Sequence, residues 1–412
     1  MLAPLSSRTR LGISDLSYLL NVPLQPNVYD GTNGLGGSAE LKGLPKPVTL
    51  GYVYNVAPVY LGTMNLGDGV LHTYQAHWRD VQNFDSVRDQ GLSLTDSAGV
   101  APAAGEFRQW KTNGVFQLGA PPAGVVTCDV RGDAVGTYAN NTGEILTRML
   151  TSLGAVLSSS LLETQTFTDI DLMMAGEIGI YFGPREISMI AGLEQVLAHA
   201  GLLLAGGRNG KLRVSFADPV FGPEIRLTEP DIVALQPVPL PAQLQPAPVN
   251  VDIVCERNWA PLTLSQLAGS VTASARRKLT SPGRRVRSTS ASLNTRQKPD
   301  RVLTLQGLFR NDADAQIRSD QMRDFIEQGL VSFRVVTDRY PNVIEIGQGV
   351  WIESYSRYGL EGGFTGIVAD WEEIPHACRT AVILIGALPS GYELREDGTL
   401  ELREDGTIEL RE

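Results

Sequence analysis

The chain has 412 residues, a net charge of −10 and a sequence pI near 5.1, with 42% hydrophobic and 19% charged residues. This length and composition predict a globular protein of about two to four domains, and the 43 glycines and 24 prolines favour a turn-rich, β-rich architecture. The acidic balance excludes nucleic-acid binding by the whole surface, and no run reaches the roughly 18 apolar residues of a membrane span.

The cysteines and the N-terminus indicate a reducing compartment. Cys128, Cys255 and Cys378 are odd in number, far apart and without the spacing of a zinc site, so the sequence predicts buried thiols and no disulfide framework. Residues 1–20 lack the apolar run of a signal peptide. We therefore expect synthesis in the cytoplasm.

Residues 1–122 are predicted to form an N-terminal β-rich domain, because proline and glycine recur at short intervals between short apolar runs. A strand is expected around Val48–Val56, entered from a loop, because Pro45 and Pro47 cannot sit in a central ladder. Val115–Leu118 and Gly124–Val130 are joined by Ala120-Pro-Pro-Ala, which predicts a β-corner.

Residues 123–232 are predicted to form an α+β domain. Apolar residues at helical spacing predict helices over Thr142–Leu157, capped by Asn141, and over Glu186–Ala200. The dipeptide Asn209-Gly210 between two short apolar runs then predicts a β-hairpin.

Residues 233–250, which contain five prolines, are predicted to be an extended linker. Residues 251–388 follow as a second α+β domain. It is expected to begin with a strand at Val249–Val254 and to contain helices over Leu262–Leu279 and Ala313–Leu330, the second preceded by Asn311-Asp312 as cap and first-turn acid. Four alternating stretches predict strands at the end of this domain, over Val331–Thr337, Val343–Ser354, Gly366–Trp371 and Thr380–Ile385.

Residues 389–412 contain a tandem octad repeat of the form Glu-Leu-Arg-Glu-Asp-Gly-Thr followed by Leu or Ile. Each repeat predicts a short strand with two apolar residues on one face, stopped by a tight Asp-Gly turn. Such a small hairpin buries too little to be stable alone, so we expect it to bind partners. The alternative is a frayed tail, since half of its residues are charged. The predicted partner-binding residues are Tyr392, Leu394, Leu400, Leu402, Ile408 and Leu410.

No catalytic, cofactor or metal site is predicted. Gly206–Leu212 departs from a phosphate loop, because three residues separate its glycines and Leu212 stands where a magnesium-binding hydroxyl belongs. His72 and His77 are expected on opposite faces of a strand, His199 is expected to act as a cation at a helix C-terminus, and His376 with Cys378 lacks a third ligand. Two acidic pairs, Asp169 with Asp171 and Asp312 with Asp314, imitate catalytic carboxylates but are typical of surfaces and helix starts.

A basic run extends from Arg257 to Lys298 without one acidic residue. A subunit interface or an acidic partner is favoured over nucleic acid, because no aromatic residue follows Trp259 between these charges.

Several ordered stretches resemble the baseplate hub or tail-tip proteins of tailed bacteriophages and related gene-transfer particles. They are Gly43-Leu-Pro-Lys-Pro, Gly51-Tyr-Val-Tyr-Asn-Val-Ala-Pro-Val, Gly114-Val-Phe-Gln-Leu, Pro122-Ala-Gly-Val-Val-Thr-Cys-Asp-Val-Arg-Gly, Gly210-Lys-Leu-Arg-Val, Glu256-Arg-Asn-Trp, Leu267-Ala-Gly-Ser-Val, Gly347-Gln-Gly-Val and Tyr358-Gly-Leu-Glu-Gly-Gly. None is a catalytic signature, so the resemblance lies in their order over residues 40–388. The octads are not a feature of the family as a whole.

This resemblance implies a β-rich α+β, multidomain tail hub with a C-terminal β-repeat stalk segment. A homotrimer of the chain would cap the tail tube at the tail tip of the virion, after assembly in the host cytoplasm. Its partners would be the distal tail protein ring and a central fibre or tip protein, with the tape-measure protein as a further candidate. No enzymatic activity is implied. The alternatives are a tail-associated cell-wall hydrolase and a carbohydrate-binding receptor module. A receptor module predicts a cluster of exposed aromatic residues, whereas Trp110, Trp351 and Trp371 are scattered in the sequence.

Overall fold

The computed structural model describes residues 16–402 except 155, 217–224, 243, 246, 292–300, 341–342, 359, 361, 375–376, 388–391 and 395–399. Strands make up 39% and helices 23%, which confirms the predicted β-rich α+β class. Within these residues, no helix combines the length and the apolar character needed to cross a membrane.

Two five-stranded sheets form the first β-rich unit, in the orders β10-β1-β9-β4-β5 and β2-β3-β8-β7-β6. Phe84, Phe107 and Phe116 are buried in a common core, where the Phe116 ring meets the other two edge-to-face. The strands of this unit are β1 (Val48–Val56), β2 (Val59–Asn65), β3 (Val70–Gln75), β4 (Val81–Asp89), β5 (Leu92–Ser93), β6 (Thr95–Asp96), β7 (Glu106–Trp110), β8 (Val115–Leu118), β9 (Val126–Asp133) and β10 (Gly179–Phe182).

The predicted corner at Ala120-Pro-Pro-Ala is confirmed, because the strands on its two sides belong to different sheets. β8 pairs with β3 and β7, whereas β9 pairs with β1 and β4. Prolines in the connection have no amide hydrogen for either ladder, so the chain can leave one sheet and enter the other.

Three helices and a hairpin follow β9, and β10 lies between the second and third helices. The helices are α1 (Thr142–Ser152), α2 (Thr164–Met173) and α3 (Met189–Ala198), and the hairpin consists of β11 (Leu202–Gly206) and β12 (Leu212–Phe216). Asn141 occupies the predicted cap position, where its backbone amide donates to the Glu144 side chain at 3.3 Å. The predicted hairpin is confirmed, and its Gly210 has the positive φ of 74° that the turn needs.

Two helix boundaries differ from the prediction. α1 ends at Ser152 because the chain turns at Gly154, whose amide donates to the Leu24 carbonyl, 3.2 Å away. α3 begins only after Ser188, whose hydroxyl accepts a hydrogen bond from the Ala191 amide. α2 was not predicted.

The second half of the chain alternates between two sheets. The three-stranded sheet has the order β16-β15-β17 and contacts helix α5, while the six-stranded sheet has the order β13-β19-β20-β21-β18-β14. The elements are β13 (Ile225–Leu227), β14 (Ile232–Val238), β15 (Asn250–Cys255), α4 (Ala273–Thr280), β16 (Arg284–Thr289), β17 (Val302–Leu305), α5 (Asp312–Glu327), β18 (Leu330–Thr337), β19 (Gly349–Ile352), β20 (Phe364–Ile374) and β21 (Arg379–Ala387).

The helix predicted over Leu262–Leu279 is wrong for most of its length. Only α4 is α-helical, and it begins at Thr272, whose hydroxyl accepts from the Ala275 amide. The upstream part contains one 3-10 turn followed by Gly269. Glycine inside a helix lowers the stability of the helix by about 1 kcal/mol relative to alanine. The helix predicted from Asn311 is confirmed as α5.

β14 covers the first residues of the predicted proline-rich linker, where Pro237 is opposite Phe333 of β18. β14 is an edge strand, so the missing amide hydrogen of Pro237 removes no bond from the interior of the sheet. The predicted strand over Val343–Ser354 is shortened to β19.

The largest core joins distant parts of the sequence. It contains buried residues of α1, α2 and α3 together with Val251 and Ile253 of β15 and Phe309. Buried side chains of the six-stranded sheet form a separate core, which includes Phe333 and Phe364. The domain boundaries predicted from the sequence stay a prediction.

Candidate functional site

The predicted partner-binding octads begin as a paired β-ribbon. β22 (Tyr392–Leu394) runs antiparallel to β23 (Leu400–Leu402), with Tyr392 opposite Leu402 and Leu394 opposite Leu400. Apolar residues are therefore paired across the ribbon, and Glu393 is opposite Glu401. The turns at Asp397-Gly398 and Asp405-Gly406, together with Ile408 and Leu410, lie outside the described residues.

His199 is structural, but the prediction that it is a cation is wrong. Its side chain is fully buried beside Phe309, and its Nε2 lies 3.1 Å from the Thr142 hydroxyl. Burial, followed by the nearby positive charge of Arg318, lowers the pKa of His199 to about 3. The imidazole is therefore neutral at pH 7 and adds no charge to the end of α3.

His72 and His77 do not share a strand as predicted, because β3 ends at Gln75, and they occupy different environments. His72 is 2.9 Å from the Tyr60 hydroxyl near the surface. His77 is fully buried, its Nδ1 accepts a hydrogen bond from the Thr49 amide, and its Nε2 lies 3.5 Å from Asp133. The described residues contain no cluster of three or more His, Cys, Asp or Glu side chains fit to hold a metal ion. His376 lies outside them.

The acidic pairs have separate structural roles. Asp171 accepts hydrogen bonds from the first amides of α1, those of Gly143 (2.6 Å) and Glu144 (3.1 Å), whereas Asp169 accepts from Gln165. Burial raises the pKa of Asp171 to about 6. Residues two apart on a helix point in different directions, so Asp169 and Asp171 do not flank one substrate.

The second acidic pair starts helix α5. Asp312 pairs with Arg284, and the amide of Asp314 donates to the Asn311 side chain that caps the helix. The thiols divide between two environments as well. Cys128 and Cys255 are buried as predicted, but Cys378 is exposed.

The three tryptophans considered for carbohydrate binding lie on different strands and are each covered by an arginine. The guanidinium carbons of Arg108, Arg226 and Arg208 are 4.3, 5.1 and 4.0 Å from the ring centres of Trp110, Trp351 and Trp371, respectively. These ring faces are therefore occupied by cations of the same chain.

A cleft of about 340 Å³, which the sequence did not predict, lies where five segments meet. They are β1 at Tyr52 and Tyr54, residues 177–179, residues 256–259 after β15, α4 at Lys278, and residues 308–311 after β17. Backbone hydrogen bonds hold them together, from the Glu256 amide to the Phe309 carbonyl and from the Arg310 amide to the Glu177 carbonyl.

A buried pair of asparagines fixes the position of residues 256–259 against β1. The Asn55 side-chain amide donates to Asn258 Oδ1 and to the Ala260 carbonyl, both at 2.8 Å. Asn258 in turn donates to the Leu279 carbonyl at the end of α4. Asn55 has a φ of 52°, a left-handed conformation that asparagine tolerates better than most residues. The cleft therefore depends on one short polar junction.

Cations stacked on aromatic rings line the cleft. The Arg257 guanidinium lies 4.0 Å from the Trp259 ring centre, Arg310 lies 4.1 Å from that of Tyr52, and Lys278 Nζ lies 4.8 Å from that of Tyr54. Such contacts stabilise a cation by about 0.5 to 2 kcal/mol.

The charges of the cleft are unevenly paired. Glu177 accepts from Arg131, Tyr138 and Arg310, and Glu256 lies 3.8 Å from Lys278. Arg257 has no ion pair or side-chain hydrogen bond to any described residue. Partial burial lowers its pKa, and no carboxylate contributes an opposing effect. The cleft therefore presents a desolvated guanidinium whose donors are free.

Two sequence signals mark the cleft in retrospect. The alternation Tyr52-Val-Tyr54 puts two aromatic rings on one face of β1 while Val53 enters the core, and the Arg-x-Trp spacing at 257 and 259 is the second signal. Neither signal shows that the two stretches meet. Both belong to stretches that carried the family resemblance.

Comparison with known proteins gives distant structural similarity. No protein-family model matches the chain, and no curated protein matches it. A chain from the virion of a native gene transfer agent particle is 11% identical with a TM-score of 0.48, over 84% of this chain and 85% of that chain. The 43 kDa tail protein of prophage MuSo2 from Shewanella oneidensis is 12% identical with a TM-score of 0.31, over 83% and 98% of the two chains. A tail protein from Neisseria meningitidis MC58 is 10% identical with a TM-score of 0.30, over 82% and 90%.

Proposed function

We propose that this chain is a structural protein of a phage tail or a related gene-transfer particle. In this proposal three copies form a hub that caps the tail tube at the tail tip, and residues 389–412 anchor a central fibre or spike. The family resemblance of the ordered stretches supports the tail assignment. Two of those stretches are joined through Asn55 and Asn258, so the resemblance includes residues that contact each other.

The observation that carries the anchoring role is the register of β22 and β23. The ribbon has two cross-strand pairs of apolar residues, Tyr392 with Leu402 and Leu394 with Leu400. The two pairs are separated by one pair of glutamates, so they occupy alternate positions along the strands. Side chains at alternate positions share a face, so the ribbon is suited to bury one apolar stripe against another chain. A two-stranded ribbon of this size needs such a contact to be stable.

An exposed apolar patch supports the oligomeric part of the proposal. Leu172 of α2 is 74% exposed and Ile317 of α5 is 58% exposed, and both line one groove of about 170 Å³ together with Met173 and Phe309. Obligate subunit interfaces are larger and more apolar than transient ones, and exposed apolar patches mark them on isolated subunits. We assign this patch to the contact between copies.

Light scattering of the purified chain tests the trimer. Three copies of 44.5 kDa give about 134 kDa. The double variant Leu172→Ser, Ile317→Ser is expected to lower this mass, while Leu264→Ser, an equally exposed residue outside the patch, is expected to leave it unchanged. A stable monomer of the unmodified chain at micromolar concentration, absent from purified particles, would refute the proposal.

Truncation to residues 1–388 tests the anchoring role. The shortened chain is expected to fold and to trimerise, because it keeps all the buried core residues within the described part of the chain, which extend from Leu20 to Leu384. Particles assembled with it should lose the fibre or spike seen by electron microscopy at the tail tip. Within the full chain, Leu394→Ser with Leu402→Ser should have the same effect, and Glu393→Gln with Glu401→Gln serves as the matched control. Intact fibres on particles that contain the truncated chain would contradict the anchoring role.

A further inference from the structure

Part of the basic run found in the sequence borders the cleft, where Arg257 and Lys278 line it. Lys278 and Glu256 line the cleft, and Glu256 also pairs with Arg284 at the start of β16, so the cleft and the basic surface are continuous. Arg276 and Arg277 lie on the same helix as Lys278. We call these residues, with the cleft, the basic face.

The basic face carries an excess of positive charge on a chain whose net charge is −10. Three carboxylates, those of Glu177, Glu256 and Asp312, line the cleft or pair with cations of this face. The cations number six: Arg257, Arg276, Arg277, Lys278, Arg284 and Arg310. Six minus three leaves three uncompensated positive charges.

The paired cations of the basic face remain accessible. The side chains of Lys278 and Arg284 are 57% and 59% exposed although each has an acidic partner. Arg277 is exposed and has no ion pair or side-chain hydrogen bond within the part of the chain that the structure describes. Exposed ion pairs contribute at most about 1 kcal/mol, so a multivalent anion can compete for these cations.

The ring faces beside the cations are not open to a ligand. Trp259, Tyr54 and Tyr52 are already covered by Arg257, Lys278 and Arg310, respectively. Base stacking and sugar stacking both require a free aromatic face, which disfavours single-stranded nucleic acid and carbohydrate. A carboxylate requires only the free donors of a guanidinium fork, and Arg257 provides them.

We propose that the basic face is a docking site for an acidic polypeptide segment, with one carboxylate of that segment bound to Arg257 inside the cleft and others along α4 and β16. The cleft volume of about 340 Å³ accommodates a side chain of glutamate size with its water shell. The proposed contacts use no octad residue, and the proposal does not depend on the position of the chain in a particle.

Fluorescence anisotropy with a labelled octa-glutamate peptide tests the proposal on the full chain. We expect binding that weakens between about 50 mM and about 300 mM NaCl, because the screening length falls with salt, and no binding of the matched octa-glutamine peptide. Loss of one charge-assisted hydrogen-bonded contact corresponds to an affinity about 10-fold to 100-fold lower for Arg257→Gln. Arg226→Gln, an exposed arginine of β13 outside the basic face, should bind like the unmodified chain.

A second variant distinguishes a loss of binding from a loss of folding. Arg277→Gln changes an exposed side chain and should weaken binding about 2-fold to 5-fold, in line with one exposed charge contact. Equal affinity of Arg257→Gln and the unmodified chain for octa-glutamate would overturn the proposal. So would equal binding of octa-glutamine. Tighter binding of a short DNA duplex than of octa-glutamate would also overturn it, in favour of a nucleic-acid surface.

Discussion

Replacing Asn55 with alanine tests whether the cleft depends on the asparagine junction. The variant removes two buried hydrogen bonds, to Asn258 Oδ1 and to the Ala260 carbonyl. Each bond is worth about 1 kcal/mol, and alanine in the left-handed conformation at φ 52° costs about 1 kcal/mol more. The Asn55 backbone amide keeps its bond to Asp129 in the variant. We therefore expect the free energy of unfolding to fall by about 3 kcal/mol.

Urea unfolding followed by tryptophan emission measures this loss, because Trp259 lies directly beside the junction. Asn55→Gly is the matched control, since it loses the same two bonds but adopts the left-handed conformation without strain. Its loss should be about 1 kcal/mol smaller than that of Asn55→Ala. A change below about 0.5 kcal/mol for Asn55→Ala, or equal losses for both variants, would refute this account of the junction.

Three further predictions concern buried and desolvated groups. The pKa of His199 is about 3 in the folded chain and 6.5 in the unfolded chain, so the unfolded chain binds more protons than the folded chain as the pH falls below about 6.5. Between about pH 7.5 and pH 5, the free energy of unfolding of the unmodified chain should therefore fall by about 2 kcal/mol more than that of His199→Gln in urea titrations. Asp171→Ala should lower the free energy of unfolding by about 1 to 2 kcal/mol by removing the acceptor for the first amides of α1, whereas Asp169→Ala should change it by less than about 0.5 kcal/mol. Arg257→Met should unfold at the same temperature as the unmodified chain or at a higher one, because it keeps the contact with Trp259 and removes an unpaired, partly buried charge. A clearly lower melting temperature would contradict the conclusion that Arg257 has no acidic partner within the described residues.

Local chemistry made several elements predictable. The cap at Asn311 and the turn at Asn209-Gly210 are fixed by residues within about four positions of each other, so the sequence contains the whole cause. The pairing of the first two octads follows from the same kind of information, because strand and turn lie in one repeat.

Elements that depend on distant partners were missed or misplaced. α2 contains Thr164, Thr166 and Thr168, β-branched residues that weaken helix propensity, and it buries only Phe167 and Ile170. Its stability comes from packing on α1 and β12, which the sequence of α2 does not reveal. β14 is a strand despite Pro237 because β18, roughly a hundred residues later, pairs with it.

The charge state of a side chain could be predicted only where its burial could be predicted. His199 ends a helix in sequence, which favours a cation, but Phe309 and Arg318 approach it from more than one hundred residues away and make the charged form unfavourable. The cleft was missed for the same reason. Its residues span Tyr52 to Asn311, and no local pattern shows that they meet.

The contrast between Arg257 and two arginines of β16 argues that Arg257 serves binding more than folding. Arg285 and Arg287 share the buried carboxylate of Asp252, which would be costly to leave unpaired, so these two cations stabilise the fold. Arg257 is partly desolvated without a carboxylate, and this arrangement lowers stability with no gain in the isolated chain. A segment that supplies a carboxylate to the cleft would remove that cost, and it would bind there in preference to a site where every cation is already paired.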